Sequence, residues 1–188
     1  AGTVGEYATR AALGLGASVK VFDNSQSRLR RLQTTLGTRI FTSVIQPKVL
    51  AKSLMRADVV IGALRAPLGR TPCVVTEEMV SNMKEGSVIV DVSIDQGGCF
   101  ETSQITNHDK PTFVKHGVIH YCVPNIPSRV SRTASFALSN IFSPILVEIG
   151  VKGGCKEMII SDPGFRNGVY IYKGTLTSEV LGKVFDLR

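Results

Sequence analysis

Residues 1–23 read AGTVGEYATRAALGLGASVKVFD, and this stretch decides the fold. Gly2 and Gly5 are three apart, and from Val4 to Leu15 apolar residues recur at helical spacing until Gly14 and Gly16 close the segment. ASVKVFD then alternates in polarity and ends on Asp23, as a short parallel strand does. Glycines at a turn into a helix let free helix N–H groups approach a pyrophosphate, and a carboxylate at the next strand end meets ribose hydroxyls. Gly2 and Gly5 have the spacing of the second and third glycines of a G-x-G-x-x-G loop, so the first glycine and its strand are expected upstream of Ala1. Asp23, 18 residues after Gly5, would repel a 2′-phosphate, so the expected cofactor is NAD, not NADP. The plain alternative is an ordinary tight turn and a solvated strand end.

Beyond Asp23, helical and strand patterns alternate. SQSRLRRLQTTLG reads as a helix capped by Ser25 and ended by Gly37, RIFTSV as a strand, and PKVLAKSLMRA as a helix with Pro47 in its first turn. ADVVIGA is a buried strand, TEEMVSNMKEG a helix with a Thr cap and an acidic first turn, and SVIVDVS a second buried strand. A polar loop leads to GVIHYCVPN, read as the last strand. The alternation predicts an α/β fold: a Rossmann-type doubly wound parallel sheet with helices on both faces. The pattern changes after that strand, so residues 1–128 are expected to form one domain and 129–188 a second, mostly helical segment. In the second, SRTASFALSNIFSPILVEIG has helical spacing broken by Pro144, turns fall at DPG and NG, and a last helix lies near Ser178 to Phe185.

Composition narrows the function. The 188 residues are 43% hydrophobic and 20% charged, enough for one good core. No contiguous apolar run approaches the roughly 20 residues of a membrane span, and the start has no signal-peptide pattern, so a cytoplasmic protein without a membrane role is expected. The +7 charge is dispersed, and its one cluster, Arg28, Arg30 and Arg31, falls on a helix without interleaved aromatics. That argues against a nucleic-acid partner. Cys73, Cys99, Cys122 and Cys155 lie far apart, and the histidines have no ligand spacing, so neither a disulfide framework nor a metal site is expected.

Two further stretches carry chemistry. In VDVSIDQGGCFET, residues 90–102, a buried strand runs into a polar, glycine-paired loop at the carboxyl end of the sheet, where open α/β folds bind ligands. Asp91, Asp95 and Glu101 offer carboxylates there, with Asp95 suited either to a ribose or proton-transfer role or to plain turn hydrogen bonds. In HYCVPNIPSR, residues 120–129, Asn125 has the donors and acceptor for a carboxamide or ribose. His120 and Cys122 read as core residues.

The opening stretch, RADVVIGA, MKEGSVIVDVSIDQGGCFETS and GVIHYCVPNIPSRVSRTASFALSN together resemble the alanine dehydrogenase family over most of the chain. DQGGCFE and HYCVPN are the specific stretches; the transhydrogenase alpha subunits, whose corresponding loop differs, resemble it less, and a non-catalytic NAD-binding module is a further alternative. The resemblance implies an NAD-dependent, reversible oxidative deamination of L-alanine to pyruvate and ammonia by a cytoplasmic homo-oligomer, usually a hexamer. It places Gly2, Thr3 and Val4 at the pyrophosphate loop, Asp23 at the adenosine ribose, Arg28 near the adenosine end, and Leu64 at a backbone contact to the cofactor. Val92, Ser93, Ile94 and Asp95 match the strand end beside the nicotinamide ribose, with Asp95 at the catalytic aspartate; Val123, Asn125 and Ile126 match the last cofactor loop. Ile126 stands where many members have methionine, and Ile45 where some use a polar residue near adenosine. The family's substrate domain is split around the cofactor domain, with its substrate-holding Arg and Lys and its catalytic His N-terminal to the glycine loop. His120 is therefore not given that role, and residues 129–188 correspond to the returning part of the split domain.

Overall fold

The computed structural model describes residues 1–66 and 69–186, which form two compact units, Ala1–Pro124 and Asn125–Arg188. In the first unit, α1 (Thr3–Gly14) begins after Gly2, whose backbone is extended and which offers no side-chain cap. The strand β1 (Lys20–Phe22) leads to α2 (Gln26–Leu36), where the Ser25 hydroxyl accepts the Arg28 N–H and left-handed Gly37 ends the helix. Leu29 and Leu32 lie three apart on one face of α2 and bury against Val21. Next come β2 (Phe41–Ser43) and α3 (Pro47–Leu54), then β3 (Val59–Gly62), α4 (Glu77–Ser81) and β4 (Val88–Asp91). Leu50 and Leu54 of α3 and Val80 of α4 join Ile89 in the larger apolar cluster, so each helix buries the stripe its spacing provides.

The strands form two ladders. β1 pairs in parallel with β2; β3, β4 and β6 (Val118–Tyr121) form a parallel set, and β5 (Thr112–Lys115) lies antiparallel to β6 at the edge. No hydrogen bond joins β1 to β3 among the described residues. In the larger ladder Gly62 is level with Asp91, so the segments following β3 and β4 leave the sheet at the same edge. That shared exit is where the parallel topology places a ligand.

The strand β5 lies in what the sequence suggested was loop. Its four residues, TFVK, have no apolar run, and the strand is made by its turn: His116 and Gly117 both have positive φ, 54° and 72°, the geometry that matches a two-residue turn to the twist of a hairpin. Phe113 of β5 stacks on His120 of β6, ring centroids 4.7 Å apart. His120 is fully buried; its Nδ1–H donates to the Val118 carbonyl at 3.0 Å, leaving Nε2 to accept the Thr102 hydroxyl at 2.8 Å.

In the second unit a 3₁₀ turn, Ile126–Val130, runs into α5 (Ser131–Val151), followed by α6 (Cys155–Ser161), α7 (Pro163–Asn167), the small hairpin β7 (Ile171–Tyr172) and β8 (Thr175–Leu176), and α8 (Glu179–Phe185). Two expectations are corrected here. The helix is not broken at Pro144: proline forfeits one N–H and clashes locally, but the helical segments on either side are long enough to propagate. Nor is the apolar content short of a span: Ile126–Val151 is 26 residues long and an 18-residue window in it has mean hydropathy 1.5, long and apolar enough to cross a membrane by length and composition alone. Scattered Ser, Thr and Asn hide this in a count of consecutive apolar residues. Phe136, Ile141 and Leu146 are all exposed along the helix. The DPG turn caps α7, the Asp162 carboxylate accepting the Phe165 N–H at 2.8 Å.

Burial holds the His120 pKa below its ordinary value. The folded protein therefore resists a proton that the unfolded chain accepts, so stability falls as pH drops below about 6.5, the ordinary histidine value, toward the lowered one. Thermal melts between pH 7.5 and pH 5 are expected to show a smaller loss in His120→Asn than in the unaltered protein.

Candidate functional site

At the shared edge, residues from three segments line one cleft: Val4 from the start of α1, Ala63, Leu64 and Arg65 after β3, and Val92, Ser93, Asp95 and Gln96 after β4. Parallel register brings the last two segments together, and the β4 segment turns at once into a 3₁₀ turn, Ile94–Gln96, ended by left-handed Gly97. The Ser93 hydroxyl donates to the Leu64 carbonyl at 2.8 Å, joining the two segments. Asp95 and Arg65 are exposed in this cleft, a carboxylate and a guanidinium.

The three carboxylates of residues 90–102 separate by environment. Asp91 is fully buried and its oxygens accept from the backbone N–H groups of Ser93 and Cys99, both at 3.0 Å, and from the Ser103 hydroxyl at 2.7 Å. Glu101 accepts the Glu77 N–H at 2.7 Å, at the start of α4. Asp95 alone of the three lines the cleft. Cys99 Sγ–H points at Asp91 at 3.7 Å, and burial, with the Asp91 charge adding to it, pushes that thiol up to about 12. A thiol so hard to ionise is no nucleophile at neutral pH.

The remaining expected positions are distributed as follows. Gly2 and Thr3 begin α1, where the first N–H groups have no intrahelical partner, and a Cβ built on Gly2 or Gly5 would meet nothing within 4 Å. Asp23, directly after β1, is buried; one oxygen accepts the Ser25 N–H at 2.8 Å and the other faces the Ala1 backbone nitrogen, also at 2.8 Å. Arg28 is exposed on α2, whereas Ile94 and Val123 have buried side chains, so only their backbones can face a ligand. Asn125 and Ile126 open the second unit, with Asn125 left-handed at φ 53°. Among the described residues, no three His, Cys, Asp or Glu side chains are placed to hold a metal. The sequence reading did not name Ala63, Arg65 and Gln96 as cleft residues; Gln96 lies inside the DQGG stretch beside Asp95, whereas Ala63 and Arg65 are brought there by the register of β3 with β4.

The family model described as "Alanine dehydrogenase/PNT, C-terminal domain" matches residues 1–179. A curated alanine dehydrogenase of Halomonas elongata is 44% identical over 187 residues, covering all of this chain and 50% of the relative. A solved structure titled L-alanine dehydrogenase superposes with a TM-score of 0.90 at 38% identity, covering 100% of this chain and 52% of that one. A transhydrogenase from Sinorhizobium meliloti, at 24% identity and TM-score 0.71 over 94% of this chain and 47% of its own, shares the fold. The expected Rossmann-type α/β arrangement is the observed one, and the chain spans about half the length of the curated relatives it matches.

Gly98 sets a sharp local requirement. Its φ is +78°, and a Cβ there would stand 2.6 Å from Asp91 Oδ2. Gly98→Ala is expected to lower stability by more than the about 1–2 kcal/mol of the left-handed backbone alone. Gly14→Ala, where a Cβ meets nothing within 4 Å, is expected to be neutral or stabilising. Urea midpoints compare the two.

Proposed function

This chain belongs to the alanine dehydrogenase/PNT C-terminal domain family, and on that premise we propose that it is the NAD-binding part of an NAD-dependent alanine dehydrogenase. The reaction is the reversible oxidative deamination of L-alanine to pyruvate and ammonia. The observation that carries the reading is the cleft at the carboxyl edge of β3 and β4, with Asp95 in it and the uncapped start of α1, represented by Val4, beside it.

The residues present fit NAD. The free N–H groups at the start of α1, with open space where Gly2 and Gly5 lack side chains, suit a pyrophosphate. Asp23, directly after β1 and accepting the Ser25 N–H, is an acceptor for ribose hydroxyls and repels a 2′-phosphate. Thr3 and Val4 complete the loop, Arg28 is assigned to the adenosine end, and Leu64, Val92, Ser93, Ile94 and Val123 to the nicotinamide side; Asn125 and Ile126 are assigned to the last cofactor loop by family resemblance alone. NAD supplies the hydride acceptor when bound. Asp95 orients the substrate and assists proton movement beside groups contributed from outside this chain.

Residues 1–128 act as the cofactor domain, and β1 and β3, each the end strand of its own parallel ladder among the described residues, suit an added parallel strand from upstream. Residues 129–188 act as the returning part of a split substrate domain, in keeping with the exposed apolar side chains of α5 and the half-length match to relatives. The assembled enzyme is a cytoplasmic homo-oligomer, a hexamer by family resemblance.

Two measurements test this. Nicotinamide fluorescence is expected to show saturable NADH binding, little NADPH binding, and at least tenfold weaker NADH binding in Asp23→Ala. The full-length protein is expected to form NADH from NAD on adding L-alanine, and Asp95→Asn to lower that turnover at least a hundredfold while changing NADH affinity little. Unchanged turnover removes Asp95 from the chemistry; binding without any alanine-dependent turnover leaves a cofactor-binding module.

A further inference from the structure

The cleft has a buried organiser. Asp91 does not line it, yet its oxygens collect four donors: the Ser93 N–H and, at 3.7 Å, the Cys99 thiol on Oδ1; the Cys99 N–H and the Ser103 hydroxyl on Oδ2. These donors flank the turn that carries Asp95 on both sides in sequence. Ser93 in turn fixes the segment after β3 by donating to the Leu64 carbonyl. The Cys122 thiol, just after β6, donates to Ser103 Oγ at 3.7 Å. One carboxylate thus ties together the chain exits of three adjacent parallel strands.

The surrounding backbone is shaped to admit it. A Cβ on Gly98 would stand 2.6 Å from Oδ2, and one on Gly62, level with Asp91 in the ladder, 3.2 Å from Oδ1. No described cation pairs with Asp91; it is held by dipolar donors alone, which a carboxylate, having only acceptors, satisfies in full. Such a network specifies one loop geometry, because any displaced donor leaves a buried acceptor unmet.

Resting on the NAD-binding reading above, we infer that Asp91 is the positioning residue of the site: it sets the place of Asp95 and of the cofactor-facing backbone from Val92 to Ile94 without touching either ligand. Asp91→Asn is the discriminating variant. It keeps size and shape, but whichever way the amide is turned, its NH₂ confronts either the Ser93 N–H or the Cys99 N–H and Ser103 hydroxyl. Ser103→Ala removes one donor and leaves the carboxylate.

The experiment measures NADH affinity and alanine-dependent turnover in the full-length protein, with far-UV circular dichroism as the check on folding. Asp91→Asn is expected to fold, to weaken NADH at least tenfold and to lower kcat; Ser103→Ala is expected to weaken NADH about threefold. In the Asp95→Asn background, adding Asp91→Asn is expected to lower kcat by no more than about threefold, because a misplaced Asp95 and an absent one are the same loss. Fully multiplicative kcat losses, or a folded Asp91→Asn that binds NADH within twofold of the unaltered protein, overturn the assignment. Should Asp91→Asn not fold, Ser103→Ala decides: affinity within error of the unaltered protein overturns it, and a threefold loss with native folding supports it. An unaltered protein that does not bind NADH overturns the cofactor reading and this assignment with it, whereas binding retained in Asp91→Asn overturns this assignment alone.

Discussion

The parallel register of β3 with β4 is the constraint on which the rest of the first unit depends. With Gly62 level with Asp91, the chain leaves both strands at one edge, and the segments 63–65 and 92–96 have no choice but to face the same cleft. Everything chemical about the site follows from what those few residues happen to be. The same register brings Asp91 beside a glycine instead of a side chain, leaving room for a buried carboxylate where the core would otherwise be apolar.

Burying that carboxylate is costly unless every lone pair finds a donor. Here the donors are mostly backbone groups of the following loop, so the cost of burial is offset only when the loop adopts a single path. A loop of eleven or so residues that would otherwise sample many conformations becomes part of the scaffold. His120 does the equivalent at the other end: with Nδ1 donating to Val118 and Nε2 accepting from Thr102, it anchors the residue that ends the glycine-paired stretch. Asp91 and His120 are ionisable side chains spent on architecture, which leaves Asp95 as the carboxylate presented to the cleft.

The second unit obeys a different balance. Its long helix α5 has no buried residue, and Met158 of α6 is the buried apolar side chain of the unit among those described. Apolar surface of that kind is stable in water only when something covers it.

Local chemistry was enough to read the helices and strands of the first unit up to β4, although β3, read as buried, has Val59 and Ile61 exposed. Ser25 and Thr76 caps, Pro47 in a first turn, Gly37 at a helix end and the apolar runs of ADVVIGA and SVIVDVS each act within a few residues, so their consequences are visible without the fold. The same holds for the glycine turn with Asp23 after it, and for DQGG as a loop of interest. The strand β5 was not legible because it exists by pairing with β6 through a tight turn, and α5 was misread because a proline's local penalty is overruled by the helix around it. Among Asp91, Asp95 and Glu101 the family resemblance singled out Asp95, while the residue pattern alone left it open between a ribose or proton-transfer role and plain turn hydrogen bonds; what only the tertiary structure supplies is the environment of each, Asp91 surrounded by donors, Glu101 at a helix start and Asp95 lining the cleft. Arg65 entered the site through the fold alone, since residues far apart in the chain become neighbours only through strand register, a long-range property that no short window of residues contains.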